Sequence, residues 1–276
     1  MITRVGQNLG LLEPAAAPVA SAHLEREGWA LLPGVLTADE VAMLTEDVQR
    51  VYREYDADVR HRVADRSEFR YEMYNRSAAV QQLIGHRAVL DVVEPVLGPD
   101  CHVIANQVWN NPPDHGGGPW HCDAGPHVPR PEGVPWDDRI PYPIFVVGVH
   151  FWLSPITAAE GPTAVIPGSH RSGRLPPREQ AWDPDLAYDG RGRVVPEAEP
   201  GDVLMFVSDV WHRGSPATAD GRGRLFVQCH YGRRDIAQRV LPTERVNHVA
   251  PDAVARIGSA RERQLLGLHE PFFYDG

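Results

Sequence analysis

The stretch "GDVLMFVSDVWHRGSPATADGRGRLFVQCHY", residues 201–231, decides the fold. A Gly-Asp turn leads into an apolar run that reaches His212, and a second apolar run opens at Arg224. The connection between them is made of turn-forming Gly, Ser, Pro and Asp, so the two runs read as antiparallel neighbours. His212 and Arg224 then lie near each other at the same end of a sheet. A lone histidine at a strand end is an ordinary structural residue. An arginine entering an apolar strand is not, because a buried charge without a partner is costly. Its planar fork matches a carboxylate.

Upstream, short runs rich in Val, Ile, Phe and Trp alternate with Pro/Gly loops: "CHVIANQVW" (101–109), "PIFVVGVHFWL" (143–153) and "TAVIP" (163–167). Many short strands separated by turns predict a sandwich or barrel and not a doubly wound sheet. Residues 1–100 read as mostly helical. In "TADEVAMLTEDVQRVYREY" (37–55), Thr37 and Glu40 have capping-box spacing, and Val41, Leu44, Val48, Val51 and Tyr55 form one stripe. A second helical pattern runs from Ser77 to Gly98, and "DAVARIGSARERQLLGL" (252–268) predicts a helix in the tail. The expectation is one domain over 1–276: helical support over 1–100, a mainly β core over 101–235 and a helical tail over 236–276. The loops at 124–143 and 171–193 are too rich in Pro, Gly and Arg for strands, and loops of this length are often functional lids or solvated insertions.

The 276 residues suffice for a substantial core, and a net charge of −10 argues against a nucleic-acid partner. The longest nearly apolar stretch, "IFVVGVHFWL" (144–153), is too short to span a bilayer. Glu13 and Pro14 interrupt the N-terminal apolar run, so a cytoplasmic protein without membrane association is expected. Cys101, Cys122 and Cys229 have no close spacing and suggest neither a disulfide framework nor a zinc-thiolate site.

Within "PWHCDAG" (119–125), His121 and Asp123 stand two apart, a spacing that on a strand aims both at one point. Cys122 would face the other way. With 13 His and 20 Asp in the chain, about one such pair arises by chance, so the pair needs a third ligand. His212 supplies it. Two histidines and one carboxylate on a β scaffold form the facial triad of non-haem iron(II) oxygenases, which leaves open coordination positions. A buried Arg224 beside it suggests a dicarboxylate cosubstrate. A zinc hydrolase with the same three ligands, or a non-catalytic jelly-roll binding protein, would also accommodate the triad; neither explains the arginine.

The order H-x-D (121–123), "EGPTAVIPGSH" (160–170) and "GDVLMF…H…R" (201–224) resembles the phytanoyl-CoA dioxygenase family of iron(II)/2-oxoglutarate oxygenases, over roughly residues 20–235. The resemblance implies a double-stranded β-helix (jelly roll, cupin-like) with N-terminal helices packed outside. It implies Fe(II), 2-oxoglutarate and O2 as cofactors, with His121, Asp123 and His212 as metal ligands and catalytic residues. Arg224 would pair with the distal carboxylate of 2-oxoglutarate, and Thr163 would contact the cosubstrate. Many relatives carry Gln three residues before the H-x-D histidine. Here that residue is Gly118, and Gln107, on one strand face with Trp109, is the expected replacement. Asp123 occupies the place that halogenating relatives leave to a small residue, so hydroxylation or a related C–H oxidation is expected. The substrate would be a small metabolite or natural-product intermediate. Trp152, His150, Tyr74 and Trp211 are the expected pocket residues, with Tyr71 beside them. His170 is expected to close a turn, and the roles of His115 and His127 stay open.

Overall fold

The computed structural model describes residues 17–55, 69–123, 125–238 and 249–270. Helix α1 (Ala17–Glu27) is followed by strand β1 (Trp29–Leu32), helix α2 (Ala38–Glu54), strand β2 (Phe69–Tyr71) and three helices, α3 (Met73–Arg76), α4 (Ala78–Leu83) and α5 (Arg87–Leu97). Strands β3 (His102–Asn111), β4 (Val146–Trp152), β5 (Thr163–Val165), β6 (Val203–Val207), β7 (His212–Gly214) and β8 (Arg224–Gly232) come next. Helices α6 (Pro251–Ala255) and α7 (Ala260–Leu265) follow. The expected termini at 1–16 and 271–276, and residues 239–248 of the tail, lie outside the described residues.

The architecture is the double-stranded β-helix. Its larger sheet has the order β1-β6-β4-β8-β3-β2, antiparallel throughout. The smaller sheet is the β5-β7 pair, widened by single bridges from His121 to His212 and from Val165 to Val194. All five expected strands are present. Three were not expected. Strands β2 and β7 have three residues each and β1 has four, too short to show period-two alternation.

The capping box at Thr37 and Glu40 forms, and Leu44, Val48 and Val51 of the α2 stripe are buried. The helical pattern over 77–98 is broken into α4 and α5 at Gly85-His86, and the tail pattern into α6 and α7, where Ser259 caps α7. The outward face of the larger sheet (Val147, Val149, Phe151, Met205, Val227, Tyr231) joins Leu24, Leu44, Val89 and Leu90 of the helices in one core. A second, smaller core of Trp120, Cys122, Ala164, Ile166, Leu186 and Trp211 covers the outside of the smaller sheet. The 171–193 loop closes this second core. The Trp120 indole donates to Asp183 O at 2.7 Å and the Trp211 indole to Arg174 O at 2.8 Å. Of the two readings left open for that loop, lid or solvated insertion, neither describes it. It is packing for the back of a sheet.

Candidate active site

Strand β8 lies between β3 and β4, and its alternate residues Arg224, Phe226, Gln228 and His230 run along the concave face. Register places Asn111 opposite Arg224, and both Gln107 and His150 opposite Gln228, on that same face. From the smaller sheet, Thr163, His212 and Gly214 face them.

The H-x-D segment is extended for only one bridge, yet that bridge is sufficient. His121 and His212 exchange both backbone hydrogen bonds (2.9 and 3.0 Å), which brings their rings to 4.3 Å between centroids. The run of three glycines makes the approach possible. Gly117 has φ +67°, and a Cβ there would stand 2.5 Å from the carbonyl oxygen of Gly214. The next residue, Gly118, donates its N–H to that carbonyl. Each ring is set by its Nδ1, which meets a main-chain carbonyl: Pro119 O at 2.8 Å for His121 and Val210 O at 2.9 Å for His212. These carbonyls fix the hydrogen on Nδ1 and leave each Nε2 as a bare donor of electrons.

The two Nε2 atoms lie 3.7 and 3.4 Å from Asp123 Oδ1. Within this set the ligand atoms are all within 4.8 Å of one another, and it is the metal-capable group found among the described residues. Its side chains grade from open to closed: 45% exposed for His121, 18% for Asp123 and 5% for His212. Burial, then the neighbouring His212, holds His121 below its ordinary pKa. Burial would raise the Asp123 carboxyl, but His212 and His230 outweigh it and hold it well below the usual carboxylate range. Burial likewise opposes His212, whose pKa Asp123 nonetheless raises. Two neutral-capable imidazoles and one ionised carboxylate are the donor set that suits a borderline divalent metal.

Arg224 closes the other end. Its Nε donates to Asn111 Oδ1 at 2.9 Å and its Nη1 to Gly161 O at 2.6 Å. No carboxylate among the described residues pairs with it, and burial lowers its pKa to about 10. A buried guanidinium held only by neutral acceptors fits an anionic ligand. Thr163, also buried, reaches His150 Nδ1 at 3.5 Å. His150 packs among Phe206, Phe226 and Trp152, and burial, then Arg224, pushes its pKa well down, so it is neutral. His150 and Trp152 thus wall the Arg224 end; at 5% and 1% exposed, neither lies at an open mouth.

Gln107 is half-buried and donates its amide N–H to Gln228 Oε1 at 2.7 Å. Tyr71, opposite Gln107 in the β2–β3 register, shares this half-open stretch with Trp109. Two expectations need correction. Tyr74 is fully buried in the core behind the larger sheet, its N–H held by Asn106 on the outward side of β3. Trp211 packs in the second core, because its neighbour His212 takes the inward face and alternation sends it outward. His170 closes a turn, as expected, with Nε2 donating to Glu25 O at 3.0 Å. His115 meets Glu160 O, and His127 is held by Asp209, which also accepts from Tyr142. The reading from sequence passed over Asn111, Gln228 and His230. Counting by two along β8 from Arg224 would have found the last two.

The chain is similar to known proteins. A family model described as Phytanoyl-CoA dioxygenase (PhyH) matches residues 24–224. A probable phytanoyl-CoA dioxygenase of Caenorhabditis elegans is 29% identical over 168 residues, 55% of this chain and 50% of that one, so the chain spans about half the length of that curated relative. Among solved structures, EctD of S. alaskensis with 2-oxoglutarate and 5-hydroxyectoine superposes with a TM-score of 0.63 at 22% identity, covering 84% of this chain and 80% of that one. The epimerase SnoN in complex with Fe3+, alpha ketoglutarate and nogalamycin RO superposes at 0.60 with 19% identity, covering 84% and 89%. With the family model spanning most of the chain and the strand order, the facing triad and the buried arginine all in place, this protein belongs to the phytanoyl-CoA dioxygenase family.

Proposed function

We propose that the protein is an iron(II)- and 2-oxoglutarate-dependent oxygenase. It hydroxylates, or oxidises in a related way, a C–H bond of a small metabolite or natural-product intermediate, with release of succinate and CO2. The observation that carries this reading is Arg224: a buried guanidinium without a carboxylate partner among the described residues, on the concave face that also holds a His-Asp-His cluster. A hydrolytic zinc site needs no such cation.

His121, Asp123 and His212 would hold iron through Nε2, Oδ1 and Nε2, leaving the rest of the coordination sphere open. Bound iron with 2-oxoglutarate supplies O2 activation coupled to oxidative decarboxylation. The chain supplies binding, orientation and dryness. Asn111 and Gly161 O occupy Nε and Nη1 of Arg224 and so turn the remaining guanidinium hydrogens toward the distal carboxylate. Neutral His150 adds no second positive charge there. Thr163 and, in place of the absent side chain at Gly118, Gln107 are the proposed further contacts to the cosubstrate. The half-open surface of Tyr71, Gln107 and Trp109 is proposed as the place where the substrate lies.

The test is succinate release from 2-oxoglutarate by the iron-loaded protein against a panel of small molecules. The reading expects release that needs Fe(II) and O2 and rises with one compound class. Hydrolysis of a substrate by the zinc-loaded protein, without succinate, would overturn it.

A further inference from the structure

The Asp123 carboxylate is divided between two tasks. Oδ1 faces the imidazoles of His121 and His212, while Oδ2 lies 2.8 Å from His230 Nε2. We propose that His230 is a positioning residue for the metal site: its Nε2–H holds Oδ2 and thereby fixes Oδ1 as the single ligand oxygen. This rests on the reading of Asp123 as a ligand given above.

The direction of the hydrogen bond follows from groups that have only one role. The Trp109 indole nitrogen can only donate, and it meets Gln228 Oε1 at 2.7 Å, so that atom is the amide oxygen. Gln107 donates to the same oxygen. The Gln228 amide nitrogen therefore points the other way, toward His230 Nε2 at 3.4 Å. A carboxylate oxygen accepts, so the 2.8 Å contact places the hydrogen on His230 Nε2, and Gln228 then offers hydrogens to an atom that also bears one. The Gln228 contact is a steric backstop, and Asp123 is the acceptor for Nε2–H. His230 Nδ1 is buried without a partner, which is consistent with a bare lone pair there and with the hydrogen on Nε2. The side chain is 10% exposed and stands on a strand paired on both sides, which holds the ring against Asp123.

The metal-capable group contains His121, Asp123 and His212 but not His230, which sets the proposal apart from a fourth-ligand role. Hydrogen-bond partners of metal ligands typically contribute 10–100-fold to metal affinity. A glutamine at 230 places an amide N–H near the position of Nε2, whereas alanine leaves Oδ2 without a donor.

The test is anaerobic calorimetry of Mn2+ binding to the full chain as wild type, His230→Ala and His230→Gln, with the melting temperature of each metal-free protein. We expect His230→Ala to bind Mn2+ about 10–100-fold more weakly and His230→Gln to recover to within a few-fold, with metal-free melting temperatures close to wild type. Wild-type Mn2+ affinity in His230→Ala overturns the proposal. Loss of binding in both variants at unchanged metal-free melting would make His230 a ligand. A matching fall of metal-free melting and affinity in both would make it a purely structural residue. Loss of Mn2+ from Asp123→Ala but not from His230→Ala would leave Asp123 a ligand and remove only the role given to His230.

Discussion

His121, Asp123 and His212 are the proposed metal ligands, and each is held by a contact of its own: Pro119 O, His230 and Val210 O. Alanine at any of the three should reduce Mn2+ binding below detection while the fold survives. His170→Ala should bind normally, because its ring is turned to Glu25 O and away from the cluster. In the proposed reading Arg224 serves cosubstrate binding and not metal binding. Truncating it leaves the distal carboxylate of 2-oxoglutarate unpaired in a dry site, a loss of about 3–5 kcal/mol. At about 1.4 kcal/mol per tenfold, affinity should fall a hundredfold or more. Mn2+ affinity should hardly change. Arg222→Ala is the control, since that side chain is exposed. Calorimetry with 2-oxoglutarate on the Mn2+-loaded variants reads both; weakened binding in the Arg222 variant alone would move the cation to the wrong residue.

Strand β7 shows how an element shapes the site without contributing chemistry. Gly214 faces Arg224 so closely that an added Cβ would stand 2.6 Å from Nη2. Nη2 is the free end of a flexible side chain, so Gly214→Ala should fold and push the guanidinium out of place. Roughly 0.5–1.5 kcal/mol of rotamer strain makes about a two- to twelvefold loss of 2-oxoglutarate affinity, with metal affinity unchanged; unaltered cosubstrate affinity would contradict the packing. The long strands and the α2 helix were legible because periodicity and turn residues encode them locally. Strands β1, β2 and β7 were not, being defined by their partners. Tyr74 and Trp211 were misplaced for the same reason: an aromatic residue in sequence carries no label for which face of a sheet it covers. The expected antiparallel pairing of the runs ending at His212 and opening at Arg224 does not form: β4 lies between β6 and β8, and His212 stands on the smaller sheet, facing the Arg224 strand across the concave space. His230 lay in plain view on the Arg224 face, but without the position of Asp123 it is one more histidine in an apolar strand.

The packed interior also sets the pH range of the fold. His170 is buried between α1 and the smaller sheet, with Nδ1 unpartnered and close to Gly28, and burial lowers its pKa to about 4. In the unfolded chain it titrates near about 6.5, so the unfolded state is the stronger proton binder below that pH. Stability is therefore lost as pH falls from about 6.5 toward 4, at up to about 1.4 kcal/mol per unit from this residue. Melting temperatures across that window should fall for wild type and less steeply for His170→Gln; equal slopes would show that His170 is not responsible. The joining of two sheets around one cation and one metal-capable cluster has a more direct consequence. If the concave face holds a divalent metal and 2-oxoglutarate together, the ligand must stabilise the native state. At 100 times its dissociation constant the gain is about 2.7 kcal/mol, a rise of roughly 5–10 °C for a chain of this size. Thermal melting with Mn2+, with 2-oxoglutarate and with both should show this rise above the value with Mn2+ alone when both are present in wild type, and not in Arg224→Ala. A 2-oxoglutarate shift that is absent with Mn2+, or that persists in Arg224→Ala, would contradict the account.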